Sequence, residues 1–329
     1  MCPEARTALY ECLGAGVLTA EGDLVGFRHE LARQASLAQI PDFDRTELHR
    51  RALTVLAELP INANTLAALA FHADEAGERD ATVRYGIAAA ERAGSLRANR
   101  EAADQYARAL RHADTVSDER RVVWLERLAF ACYLSGQADP GVAALREAIA
   151  LRHKLGHRLE GDNLRWLSYL LQPLRRAAEA LDAAHASLRL LEDLGPSPQL
   201  AWSLINMAHI SGLAFDPACA EYAARAHALG DALHDPAVVL RARGYTALTG
   251  VFSAGAGWEE QEGIWREASS TPALEEHAGV LGVCICWLAV MRCELDRADG
   301  YLAETAQFCD DHDVGMFGGL VAAAATSTA

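Results

Sequence analysis

From residue 64 onward the chain alternates helix-length stretches of Ala, Leu, Arg and Glu with breaks such as "EAGERD", "SGQADP", "LGPSPQ" and "FDPA". Inside the first helix of each stretch a large–small pair returns: Leu128-Ala129, Leu167-Ser168, Met207-Ala208, Leu248-Thr249 and Leu288-Ala289. The steps between these pairs are 39, 40, 41 and 40 residues, and Ala89-Ala90 lies another 39 upstream. The second helices end on punctuation of their own: "KLGH", "EDLGP", "ALHDP" and "SSTP". This period predicts six helical hairpins, at about 81–112, 118–156, 158–195, 197–234, 236–271 and 274–312. Such hairpins bury their apolar faces on their neighbours, so the expected product is a stacked array. Strand signals are few, and only residues 17–27 alternate as a short β-hairpin would.

The repeats resemble the tetratricopeptide family, whose pattern asks for a small residue at position 8 and small, aromatic, small at positions 20, 24 and 27. With Ala90 at position 8 the others fall on Ala102, Tyr106 and Ala109. The next unit has Ala129, Gly141, Leu145 and Ala148, and the third has Ser168, Ala180, Ala184 and Ser187. Small residues let two helices approach while the large one fills the gap between them. The units here run about 5 residues longer than the standard unit of roughly 34. The resemblance implies an all-α, tetratricopeptide-like superhelix of helical hairpins over residues 61–313. Residues 314–329 would be the truncated start of a further helix.

Residues 1–60 do not fit the repeat. "ARTALYECLGAGVLTA" reads as a helix ending near Gly14-Ala15-Gly16 and leading into a strand at Val17–Thr19. "AEGD" is a turn and "LVGF" the return strand. "RHELARQASLAQI" is a helix stopped by Pro41, and Asp44 is expected to cap a further helix before Pro60. The order of helix, small wing and helix matches the tail of a winged-helix subdomain. The phrase "FRHELARQA", a following Pro and "LHRRA" then resemble the junction in large ATP-binding LuxR-type transcriptional regulators, a branch of the STAND signalling ATPases. "FHADEAGERDATVRYGIAAAERAGSLRANREAADQYARALRHA" continues the likeness into that family's first repeats.

In that family the order is NTPase, winged helix, helical repeats and a LuxR-type helix-turn-helix. Only the middle of it is matched here. Met1 falls inside the winged-helix pattern and "GLVAAAATSTA" stops where another repeat should begin, so the expectation is a fragment or truncated reading frame. The resemblance implies a role for His29 as a sensor of the nucleotide's terminal phosphate, with Arg28 beside it as a phosphate fork or ion-pair partner. The alternative is that Arg28, His29 and Glu30 simply open a helix, with Glu30 favouring its positive end.

Composition narrows the chemistry. The formal net charge is −15, which disfavours non-specific attraction to nucleic acid or anionic membrane. Lys154 is the one lysine; it sits in "LRHKLGH" with no Gly-rich turn before it, so the chain has no Walker A motif. The longest apolar run, Ala278 to Met291, has 14 residues, short of the ~20 that a spanning helix needs. It reads as a buried core helix. The N-terminus lacks the basic and apolar regions of a signal peptide, and the eight cysteines lack paired zinc spacings, which together suit a reduced cytoplasm.

His153 and His157 are spaced i, i+4, but Gly156 ends the helix between them and no carboxylate completes a metal set. Cys284 and Cys286 point to different faces of one helix and suit core packing. "GVFSAGAGWEEQ" (250–261) has no preceding strand and reads as a loop between helices. No catalytic grouping emerges, so no enzymatic activity, cofactor or metal is expected.

The concave face is the expected binding surface. In tetratricopeptide arrays it is lined from positions 2, 5, 9 and 12 of each unit. That register selects Glu126, Phe130 and Tyr133 in the second hairpin, Arg165, Tyr169 and Gln172 in the third, and Ile205 and His209 in the fourth. A small-molecule inducer or a protein or peptide partner would bind there, with self-association a further option. The expected role is the sensor region of a LuxR-type regulator, without its own nucleotide or DNA binding. The other reading is a stand-alone tetratricopeptide-like interaction scaffold.

Overall fold

The computed structural model describes residues 3–22, 24–156, 159–255, 257–272 and 274–326. His157 and the last three residues of the 314–329 segment lie outside the described residues. By their internal contacts the residues divide into two units, one ending at Thr82 and one beginning at Val83. The first unit thus runs past the expected boundary at residue 60.

In the first unit, α1 (Pro3–Gly14) leads into strands β1 (Leu18–Glu21) and β2 (Leu24–Phe27). The strands pair antiparallel with Leu18 opposite Phe27 and Glu21 opposite Leu24. Then come α2 (Glu30–Ala38), α3 (Asp42–Leu56) and α4 (Ala63–Glu75). The helix, hairpin, helix order is as the sequence predicts, with two shifts. The first strand starts at Leu18, and α3 starts at Asp42, so Asp44 lies in the first helical turn instead of capping it. Pro41 takes the cap position because its fixed φ suits a chain turning into a helix. At α4 the side chain of Asn62 caps the helix by accepting from the Thr65 N–H.

The second unit is built of paired helices. α5 (Arg79–Ser95), in which the division falls, is followed by α6 (Asn99–Leu110), α7 (Asp118–Ser135), α8 (Ala138–Lys154), α9 (Glu160–Leu171) and α10 (Ala177–Leu194). Next are α11 (Pro198–Leu213), α12 (Ala218–Leu233), α13 (Pro236–Ala254), α14 (Trp258–Ser270), α15 (Glu275–Met291), α16 (Leu295–Asp311) and α17 (Gly315–Ala325). All six predicted hairpins are present. The segment 250–261 is mostly helical: Gly250–Ala254 complete α13 and Trp258 starts α14, because only Gly255 and its neighbours are needed to turn the chain.

The repeat is visible in the backbone itself. Left-handed residues close the first helix of each hairpin at Arg97, Gly136, Arg175, Phe215, Gly255 and Cys293. Their spacings are 39, 39, 40, 40 and 38 residues. At five of these turns the next N–H reaches the carbonyl five residues back, as in Ala98 to Ala93 and Gln137 to Cys132. That bond satisfies a carbonyl the helix end would otherwise leave open.

The small positions do what close packing requires. Ala90, Ala109, Ala148, Ser168, Ala184, Ser187 and Ala208 are all buried. A Cβ added at Gly161 would lie 2.6 Å from Leu191, and one at Gly244 2.5 Å from Leu281. One core runs from Ala90 to Phe317, and a smaller cluster gathers α15, α16 and the end of α17 around Ile285 and Ala289. The apolar run Ala278–Met291 forms most of α15 and is largely buried there, as expected. Among the described residues no helix is long and apolar enough to cross a membrane.

The array curls until its ends meet. The Asn99 N–H donates to Asp313 at 2.8 Å, the Asn99 amide donates to the Asp313 carbonyl at 2.9 Å, and Arg97 pairs with Glu275 at 2.5 Å. α17 lies along the inside of this curl. Its Phe317 packs over Gly279 of α15, where a Cβ would fall 2.3 Å from the ring, and against Tyr133 of α7.

Candidate functional site

The curl and α17 together bound a partly open cavity of about 420 Å³. First helices supply most of its wall: Tyr133 from α7, Tyr169 from α9, His209 and Leu213 from α11, Tyr245 and Leu248 from α13. α15 adds Val283, Cys284, Trp287, Leu288 and Met291, and α17 adds Met316, Phe317 and Leu320. The volume lies within the range of drug-sized ligand sites, and the wall is mainly apolar, as such sites are.

Rings cross the cavity wall from hairpin to hairpin. Centroid distances are 5.2 Å for Tyr133–Trp166, 6.0 Å for Tyr133–Tyr169, 5.6 Å for Tyr169–His209 and 5.9 Å for His209–Tyr245. Edge-to-face and tilted geometries of this kind add to what burial alone contributes.

Behind the rings lies a buried polar chain. Arg241, 1% exposed, donates to the Tyr245 hydroxyl at 3.3 Å. Tyr245 Oη is 2.9 Å from His209 Nδ1, and His209 Nε2 is 2.9 Å from Gln172 Oε1. On its other side Arg241 meets Glu276 at 3.3 Å, and Tyr133 donates to the same carboxylate at 2.9 Å. His277 Nδ1 lies 2.5 Å from Glu276 Oε2 and 3.0 Å from Arg241 Nη1. One ring nitrogen can serve only one of these, and the shorter contact assigns its hydrogen to the carboxylate. Trp202 stacks on the His277 ring at 4.9 Å.

Burial shapes the charge states. It pushes the His209 pKa down to about 3, with Arg241 adding to the effect, so the ring is neutral. Burial opposes ionisation of Glu276, yet His277, Arg241 and the Tyr133 hydroxyl hold its carboxyl well below the ordinary range. Burial likewise pushes the Cys284 thiol up to about 12 and raises the Tyr133, Tyr169 and Tyr245 hydroxyls. Arg241 and Glu276 therefore neutralise each other, and the cavity surface itself is uncharged.

Four of the eight positions expected on the concave face line this cavity: Tyr133, Tyr169, Gln172 and His209. The other four do not. Glu126 is held by Arg152 at 2.7 Å and by the Asn163 amide at 2.9 Å, and so braces α7 to α8 and α9. Arg165, 6% exposed, pairs with Asp162 and lies 4.2 Å over the Trp166 ring. Ile205 is fully buried in the core, and Phe130, 42% exposed, stacks edge-on to Trp166 outside the cavity.

Arg28 and His29 lie at the surface between β2 and α2, and the Arg28 N–H extends the strand pairing to the Val17 carbonyl at 3.0 Å. His29 takes the cap position of α2 without a side-chain cap bond. Glu30 pairs with Arg33, and hydrogen bonds from Arg33 and Gln34 bring its carboxyl down to about 2. His153 is exposed, 3.3 Å from Glu160, and Cys284 and Cys286 are buried. Among the described residues no group of three or more His, Cys, Asp or Glu could hold a metal ion.

No protein-family model matches the chain, and no curated protein matches it. Solved structures do. The Rap protein complexed with competence and sporulation factor aligns over 87% of this chain and 92% of its own, at 12% identity and a TM-score of 0.52. The repeat array is tetratricopeptide-like. BtubC from P. vanneervenii aligns over 73% of this chain and 89% of its own, at 17% identity and a TM-score of 0.45. A signal transduction ATPase with numerous domains and a tetratricopeptide repeat sensor, from Pyrococcus horikoshii, aligns over 90% of this chain and 57% of its own, at 12% identity and a TM-score of 0.46.

Proposed function

We propose that this chain is the sensor region of a LuxR-type ATP-binding transcriptional regulator and that the cavity inside the curl receives its inducer. The carrying observation is that aromatic and polar residues from four successive hairpins, Tyr133, Tyr169, Gln172, His209 and Tyr245, converge on one cavity. A stacked array builds such a convergence only where its register brings first helices to a common inner face. The Rap protein, similar in fold, is complexed with competence and sporulation factor, and a signalling ligand in this array is a parallel use of that fold. The "FRHELARQA" junction and the wing before it supply the regulator context, with Arg28 and His29 as the segment that would face a nucleotide. Ligand binding inside the curl would alter how far α17 can pack on α7 and α15, and so pass a signal to whatever domain the array restrains.

The test is a thermal-shift screen of the purified chain against small metabolites, repeated with Leu248→Trp, which fills the cavity from its wall. Val283→Phe serves as a second, smaller filling variant. The expected result is a set of compounds that raise the Tm of the parent chain and lose that effect in both variants; a ligand at 100 times its Kd stabilises by about 2.7 kcal/mol. Equal shifts in parent and folded filled variants would contradict it. Saturable ATP binding or sequence-specific retention of a promoter fragment by this chain would also count against it.

A further inference from the structure

The buried polar chain has a direction. The Gln172 oxygen faces His209 and can only accept, so His209 Nε2 carries the ring's hydrogen and donates it there. The neutral ring leaves Nδ1 to accept from the Tyr245 hydroxyl, whose oxygen in turn accepts from Arg241. With its oxygen on His209, the Gln172 amide has its nitrogen left over. That nitrogen is buried and has no hydrogen-bond partner. One turn of helix earlier, Tyr169 is 5% exposed and its hydroxyl makes no hydrogen bond among the described residues. Both residues line the cavity. Tyr169 and Gln172 thus place two donors without protein acceptors one turn apart on the cavity wall, and the buried Gln172 nitrogen costs stability unless something answers it.

The rest of the wall offers no charge. Leu248, Val283, Leu288, Met291 and Leu320 are apolar, and Trp287 adds a large neutral ring with one indole N–H. Arg241 is committed to Glu276, and Lys154 is at the surface paired with Asp118. An anionic or cationic ligand would be stripped of water with no free counter-charge to meet it. Resting on the reading of this cavity as the sensor site, we infer that its ligand is a neutral, mainly apolar small molecule. It carries one accepting oxygen, of ketone, ester, lactone or amide type, set against the Tyr169 hydroxyl and the Gln172 amide nitrogen.

Two environment-sensitive dyes test this on the whole chain. Nile red is neutral with a ring carbonyl; anilinonaphthalene sulfonate is similarly apolar but anionic. The expected result is equimolar saturable binding of Nile red, lost in Leu248→Trp, with much weaker binding of the sulfonate. Tyr169→Phe and Gln172→Glu should each weaken Nile red by about threefold to tenfold, since each removes one donor and the second keeps the acceptor for His209. Thermal unfolding of each variant checks that the fold is kept. If Nile red binds in the cavity but neither variant weakens it, the accepting-oxygen assignment falls and the cavity reading stands. If the sulfonate binds as tightly in the cavity, the neutral-ligand assignment falls and the cavity reading stands. If neither dye senses the Leu248→Trp change, both readings fall together.

Discussion

Residues 6–64 and residues 83–326 reach order by different means. In the first stretch no described side chain is buried, and Tyr10, Leu31, Phe43, Val55 and Ile61 are each more than half exposed. Its helices rest on local ion pairs, Glu30–Arg33, Asp42–Arg45 and Glu47–Arg50, all three residues apart and all exposed. Such pairs contribute only tenths of a kcal/mol. The second stretch owes its order to a core shared by hairpins far apart in sequence, closed by Tyr133–Glu276 and Asn99–Asp313. A repeat thus converts a weak local pattern into a large common core, while a non-repeating segment of similar helical content gains no such core of its own.

That contrast orders the expected effects. Arg241→Ala leaves Glu276 buried with part of its compensation gone and should cost about 3–5 kcal/mol. Arg33→Ala, breaking an exposed pair, should cost under about 1 kcal/mol. Urea unfolding followed by tryptophan fluorescence reads the first change, and far-ultraviolet circular dichroism reads the second; comparable losses would break the comparison.

Lowering the pH offers the next test. The His209 pKa lies at about 3 in the folded chain against an ordinary 6.5, so the unfolded chain takes up that proton first. Stability present above pH 6.5 should therefore fall as pH drops from there towards 3, with a slope of up to about 1.4 kcal/mol per unit from this residue. His209→Gln should flatten that slope in equilibrium unfolding across the window.

Gly279→Ala should cost about 1–3 kcal/mol, because its Cβ would meet Phe317 at 2.3 Å. Gly14→Ala, with nothing within 4 Å, should not destabilise by that mechanism. At the small end, Arg175→Gly removes a side chain from a left-handed turn at φ 58 and should stabilise by about 1 kcal/mol, read as a raised Tm.

Much of the fold was readable because the repeat period is carried by buried small residues. Ala129, Ser168 and Ala208 could not be enlarged without pushing helices apart, so the period appears directly in the residue string. The site was half readable. The register selected Tyr133, Tyr169, Gln172 and His209, which line the cavity, together with Glu126 and Arg165, which pair with nearby residues instead. Tyr245 was missed although it follows His209 by 36 residues, the same step that separates Tyr133 from Tyr169. Arg241, Glu276 and Phe317 had no such signal. Phe317 reaches the cavity, and Glu276 reaches Tyr133 behind it, only because the array curls until α15 and α17 meet α7, a consequence of summed small rotations between hairpins.

Hydrogen exchange of the whole chain, with and without Nile red, tests most directly that ligand binding belongs to the closed repeats. The expected result is added protection in α9, α11, α13, α15 and α17 around the cavity, with exchange in α1, α2 and α3 unchanged. Protection gained around the exposed Leu31 and Phe43, with none around Tyr169, Gln172 and Phe317, would contradict it.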